Sequence, residues 1–364
     1  EKKDGAYTIF YRGVNAGAFL GILLCGYLGE KVGWSVGFGL AGIFMLFGLL
    51  QFWYAQGIFG NIGLVPKKEK YQEVEATDDS KLNPFTKLQL TLSGIAAFLG
   101  LAWIINDPVS IISEGDINLF GFMDGVIGGI DGSTLMIFTA LILFIIILVL
   151  RIPKYSPVTR DRMLAVMFFA FITILFWAIF EQAGGSLSIY AAEHLKKDLI
   201  GMPIDPNMVN NSGNAMFVIF FAPLLGLLWL WMSRRKIEPN SVVKFGLGFL
   251  FLGIGFYTFF TGKFFADGDG MTSLNLFTFG YLIITFGEIA LSPIGLSLMT
   301  KLSTQKLQGV MMGMWFLASA YGQYVAGLFG ESITPDDSAT AVEKLNVYSE
   351  GYKQFGIYAI IAGV

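Results

Sequence analysis

Apolar runs long enough to cross a bilayer recur along this 364-residue chain, and that recurrence leaves few folds open to it. Lipid admits only structures that satisfy their backbone polar groups internally, and a spanning helix needs about 20 apolar residues. The runs fall at approximately 6–29, 33–58, 85–106, 133–152, 161–190, 212–233, 241–262, 273–299, 307–330 and 354–364. The last is short, so nine full spans and a partial tenth are expected, in an all-α polytopic membrane protein. Only 14% of residues are charged, against roughly 25% in soluble domains. The 45 glycines and 35 phenylalanines suit closely packed membrane helices.

Two of these runs hold an acid within the apolar stretch itself. Glu181 lies in MLAVMFFAFITILFWAIFEQAGGSLSIYA and Glu288 in LNLFTFGYLIITFGEIALSPIGLSLMT. An ionisable group inside a membrane helix is costly, so it faces a cavity, a partner or a substrate path. Carboxylates in helices suit proton or cation coupling, which points to transport. The residues alone leave a permanent interhelical ion pair open for either acid.

Lysine and arginine concentrate in the loops 64–87, 151–162, 233–244 and 300–308. The opposite loops carry acids such as Glu114, Asp116, Asp131, Asp205, Asp267 and Asp336. The positive-inside rule puts the first set in the cytoplasm without a break in parity. The stretch 64–87 reads as a linker between two membrane bundles, and 107–132 and 334–352 as outer loops. A faint repeat links Gly26–Glu30 with Gly327–Glu331. The sequence opens on Glu1 and stops inside an apolar run, so both ends read as truncations.

Other chemistry finds no support. The net charge of −3 argues against nucleic acid, and no phosphate-binding loop or nucleophile–base pair is visible. One cysteine, Cys25, allows no intrachain disulfide and reads as a small buried apolar residue. The lone His194, in AAEHLKKD, reads as a solvated loop residue, and one His with one Cys makes a zinc site implausible. No enzyme and no cofactor is expected.

The run Tyr7-Thr8-Ile9-Phe10-Tyr11-Arg12-Gly13-Val14-Asn15-Ala16-Gly17-Ala18-Phe19 resembles the fifth-helix signature of the proton-coupled oligopeptide transporter family, within the major facilitator superfamily. Arg12 departs from it, since the family has an apolar residue there. Phe176–Gln182, Gly287–Leu296 and Met311–Leu317 resemble the family's seventh, tenth and eleventh helices. The resemblance covers nearly the whole chain. It implies a partial major facilitator fold with helices 5–6 at 1–63, a linker and two inserted helices of the bacterial type at 64–160, and helices 7–12 at 161–364, the last truncated. Helices 1–4, with the ExxER motif and the carboxylate-binding Arg and Lys, would be absent.

By the same resemblance, Glu288 matches the acid that receives a peptide's amino terminus, and Glu181 an acid implicated in gating and coupling. Asn214, in Ser212-Gly213-Asn214-Ala215, resembles an eighth-helix Asn that hydrogen-bonds the peptide, although the family has Pro where Ala215 stands. Trp177 and Trp315 are expected to wall an amphipathic pocket; from the residues alone, bundle packing or lipid contact serves as well. Ser292 is assigned to the substrate site, and Ser292-Pro293 suits either a bend near a gate or a static kink. The implied protein is a monomeric proton symporter importing di- and tripeptides by alternating access, with protons as the coupling ion, multi-pass in a bacterial inner membrane. A same-fold symporter for nitrate or a modified amino acid is the alternative, and a peptide sensor that moves nothing the third.

Overall fold

The structure, a computed structural model, describes residues 2–60, 85–303 and 308–364. The linker expected at 64–87 lies, up to residue 84, outside the described residues, as do 304–307 of the loop 300–308. Among the described residues there are twelve α-helices and no named strand: α1 (Lys2–Lys31), α2 (Trp34–Tyr54), α3 (Gln56–Phe59), α4 (Lys87–Ile112), α5 (Gly132–Arg151), α6 (Pro157–Phe180), α7 (Ser186–His194), α8 (Pro206–Arg234), α9 (Ser241–Thr261), α10 (Leu274–Leu302), α11 (Gln308–Ser332) and α12 (Ala341–Gly363). Eight segments among the described residues are long and apolar enough to cross a membrane, the last ending with α10.

The final helix begins at Ala341, where the Thr340 hydroxyl accepts from the Glu343 amide in a capping box, so most of 334–352 is helix rather than outer loop. Glu343, Lys344, Glu350 and Lys353 interrupt the apolar run, while Leu345, Tyr348, Tyr352 and Phe355 form a buried face at helical spacing. The run 161–190 is not one continuous helix either. It breaks after Phe180 into a 3-10 turn, Glu181–Gly184, and resumes as α7. Gly184 and Gly185 follow Glu181 closely, and helix propensity falls steeply at glycine.

The chain divides into two compact units, residues 1–67 with 166–364, and residues 68–165. In the first, α9 is held between α10 and α12, and α1 lies along α2, α8 and α10. Glycines allow the α9–α10 approach: a Cβ on Gly287 would stand 2.6 Å from the Gly248 carbonyl oxygen. In the second unit α4 and α5 form an antiparallel pair joined at both ends. Asn106 donates to Ser133 Oγ at 3.1 Å, and Arg151 donates to Gln89 Oε1 at 3.2 Å while covering the Phe85 ring.

The lone histidine is not a solvated loop residue. His194 ends α7, is 1% exposed and packs against Tyr190 and Tyr348, with Nδ1 3.3 Å from the Gly270 carbonyl oxygen. The turn at 267–272 closes over it, since Thr272 donates its amide to the His194 carbonyl at 2.7 Å. Nothing in the polar sequence AAEHLKKD signals that covering turn, which is some 70 residues away in the chain.

Candidate functional site

Helix α10 builds the site because of where its glycine points. Gly287 faces α9, so Glu288, about 100° further round the helix, faces the other side. There it is buried between α8 and α1. The Tyr11 hydroxyl of α1 donates to Glu288 Oε1, and Asn214 of α8 donates to Oε2 at 2.6 Å. Asn214 also lies 3.2 Å from Thr285 Oγ1, one turn before Glu288. Ser292, one turn after Glu288, is buried and lies beside the Tyr11 hydroxyl. Among the described residues no lysine or arginine pairs with Glu288, so its donors are neutral. A carboxylate has about four lone-pair positions, and two donors leave room for another. Such a group can take up a proton or a cationic ammonium.

Glu181 occupies a second place. It opens the 3-10 turn at the end of α6, half-buried, and accepts from Gln323 of α11 at 3.3 Å. A cleft of about 400 Å³ runs past it, lined also by Ser186, Gln323, Glu331 and Thr334. The wall beside Glu181 is anchored by Gln182, which donates to the Ala326 carbonyl at 2.9 Å and accepts from Ser186 at 2.7 Å. Glu181 lies within electrostatic reach of Glu288.

The tryptophans pack in helix interfaces. Trp315 is buried, its indole laid where a Cβ on Gly295 would be, with its edge toward Phe245. It is a packing residue in this arrangement and not an open cavity wall, because the missing side chain at Gly295 lets the ring lie on α10. Trp177 is half-buried, edge-on to Phe176 and Phe180, against Gly322 of α11. Asn15 is buried and donates to the Tyr11 carbonyl within its own helix at 2.9 Å, while Arg12 is exposed.

A model of the POT family (PTR2) matches residues 1–75 and 132–344. The chain belongs to the POT family. Among its relatives, the peptide transporter YePEPT of Yersinia enterocolitica subsp. palearctica is 31% identical over 92% of this chain and 62% of its own length. Dipeptide and tripeptide permease A of Yersinia pestis is 28% identical over 99% of this chain and 65% of its own. The crystal structure of a POT family transporter in complex with 5-aminolevulinic acid superposes with a TM-score of 0.69 at 25% identity, covering 99% of this chain and 67% of that one. The chain therefore spans just over three fifths of the first of these relatives.

The POT chain has the major facilitator fold in part, and its relatives are transporters rather than enzymes. Of the residues singled out in the sequence, Glu288, Asn214 and Ser292 come together; Glu181 and Trp177 stand at the α6–α11 junction; Trp315 lies in the α10 interface. Tyr11 carries no role in the sequence motifs, and Thr285, Gln323, Asn210 and Tyr281 lie outside them. A signal existed for most of them. Tyr281, Thr285, Glu288 and Ser292 are spaced 4, 3 and 4 residues apart, and Asn210 and Asn214 by 4, so each set shares one helix face.

Proposed function

We propose that this chain forms the substrate-binding and coupling part of a proton-driven symporter that imports di- and tripeptides by alternating access. The observation that carries the reading is the Glu288 carboxylate, buried in an apolar bundle and bonded only to the neutral Tyr11 and Asn214 among the described residues. A peptide's ammonium would complete its shell with a charge-assisted hydrogen bond, stronger than a neutral one. A proton would do the same when no peptide is bound. In this reading Asn214 and Ser292 orient the peptide's amino end, and Glu181 exchanges the coupling proton in its cleft. Trp177 would face the peptide path, and Trp315 would act from behind it through α10. The names of the two Yersinia relatives support the substrate class. The bacterial relatives support the inner membrane with the basic loops in the cytoplasm.

The test is uptake of a labelled dipeptide by the full-length protein in liposomes, with and without an inward proton gradient, beside Glu288→Gln. Gradient-driven accumulation that the variant loses supports the reading. Folded protein that takes up no dipeptide overturns it. The solved complex of a neighbour with 5-aminolevulinic acid favours one alternative, a small amino-bearing acid. Such a solute carries the same ammonium for Glu288 and would compete with, or replace, the dipeptide in this assay.

A further inference from the structure

Two turns from Glu288 on α10, and one turn from Asn214 on α8, lies a buried pair that the proposed function does not use. The Tyr281 hydroxyl donates to Asn210 Oδ1 at 2.6 Å, and both residues are at most 2% exposed. The amide of Asn210 is thereby oriented, and its Nδ2 donates to the Ala183 carbonyl at 2.8 Å and lies 3.3 Å from Asn211 Oδ1. Ala183 belongs to the 3-10 turn that begins with Glu181. At the other end, the Tyr281 carbonyl accepts from Thr285 Oγ1 at 2.8 Å, and Thr285 in turn meets Asn214, the donor to Glu288. A path of hydrogen bonds, bridged by the covalent body of Tyr281 between its carbonyl and its hydroxyl, thus joins the Glu288 carboxylate, through Asn214, Thr285, Tyr281 and Asn210, to the backbone two residues from Glu181.

The position of the last contact gives the path its purpose. In a continuous helix the Ala183 carbonyl would accept from within its own helix. The helix breaks there, and the side chain of α8 reaches it instead. A helix break fastened by a side chain from another helix moves when that helix moves. We propose that Asn210 and Tyr281 are positioning residues that couple the two carboxylates: a shift of α8 or α10 when Glu288 gains or loses a cation is transmitted to the turn and resets Glu181. The inference deepens the proposed transport reading and rests on its roles for Glu181 and Glu288. Glu181 is also faced by Gln323, with Glu331 in the same cleft on α11, and Tyr281 and Glu288 lie within its electrostatic reach on α10. Direct electrostatics between the carboxylates therefore exists beside the path, and the test must separate the two.

The test is a mutant cycle on the full-length protein. Protonation of Glu181 is followed by the infrared carbonyl band that disappears in Glu181→Gln. Glu288→Gln displaces the Glu181 titration midpoint, and in a Tyr281→Phe background that displacement is expected to shrink by more than half. Asn210→Ala breaks the path from the other side, is expected to give the same loss, and decides the matter where Tyr281→Phe does not fold. A displacement that stays whole in the folded variant overturns the proposal, even if its melting temperature falls, since direct electrostatics would then account for it. Dipeptide uptake is measured on the same preparations. Wild-type protein with no uptake removes the proposed function and leaves the cycle readable; uptake with an undiminished displacement overturns the relay alone.

Discussion

The Tyr11 hydroxyl of α1 donates a hydrogen bond to the carboxylate of Glu288 on α10, across 277 residues of sequence. It brings α1 and α10 to one point. The contact explains why an aromatic residue with a polar tip stands at this place in α1: its ring packs among apolar helices while its hydroxyl reaches the charge. Tyr11→Phe keeps the ring and removes the donor. A hydrogen bond to a charged group contributes about 1.5–3 kcal/mol, so the variant is expected to unfold more readily by that order. In a Glu288→Gln background the same substitution should cost less than about 1 kcal/mol. Thermal or denaturant unfolding of the four proteins checks this, and equal costs in both backgrounds would mean that Tyr11 acts elsewhere.

Asn214 is the second donor to Glu288. Asn214→Ala leaves Oε2 without it and, on the proposed reading, removes a group that orients the peptide's amino end. The expected effect is a rise in KM for a dipeptide of about tenfold, equivalent to the roughly 1.4 kcal/mol of one hydrogen bond, with kcat changing less. An unchanged KM would take Asn214 out of the substrate site.

Glu181 should matter for coupling more than for binding. Glu181→Gln retains a polar partner for Gln323, so the turn is expected to stay folded. Peptide exchange across the membrane without a gradient should continue, while accumulation driven by a proton gradient is lost. Accumulation at the wild-type level in this variant would remove Glu181 from the coupling path.

Gly287→Ala probes the placement of Glu288. The added Cβ would meet the Gly248 carbonyl oxygen at 2.6 Å, which is backbone and cannot rotate aside. The α9–α10 approach must widen, at a cost of about 1–3 kcal/mol typical of overpacking. The measurement is the melting temperature in detergent, and a drop is expected together with weaker dipeptide binding. Wild-type values for both would show that the helices have slack there.

A pH effect is expected in the turn at 267–272. Asp267 accepts from the Met271 amide at 2.9 Å and pairs with Lys196 at 3.0 Å, which hold its carboxyl below the usual value of 3.8. Because the folded value lies below the unfolded one, this contribution is present above pH 3.8 and is lost as pH falls through the lower folded value. Hydrogen exchange at Met271, corrected for its intrinsic pH dependence, should lose protection only below that point. Loss of protection near neutral pH would place the cause in another group.

The membrane class was legible because it rests on composition and run length, which need no partner to interpret. The acids Glu181 and Glu288 were legible for the same reason: a lone charge in an apolar run has few explanations. Reading the end of the chain was harder. The charges of α12 hid an amphipathic helix, since an apolar-run criterion averages the two faces that the fold separates. The burial of His194 is not legible locally, because the turn that covers it comes from another part of the chain.

The sequence by itself determined that this chain crosses a membrane many times and which two carboxylates stand in its apolar runs. Those are properties of local composition and spacing. Only the tertiary structure decided what surrounds each carboxylate: Tyr11 and Asn214 on Glu288, Gln323 on Glu181, and Asn210 on the turn that begins with Glu181. These partners lie 27 to 277 residues apart. They meet because glycines such as Gly287 let the helices approach at one register. That register is set by packing between helices, which no stretch of the sequence encodes alone.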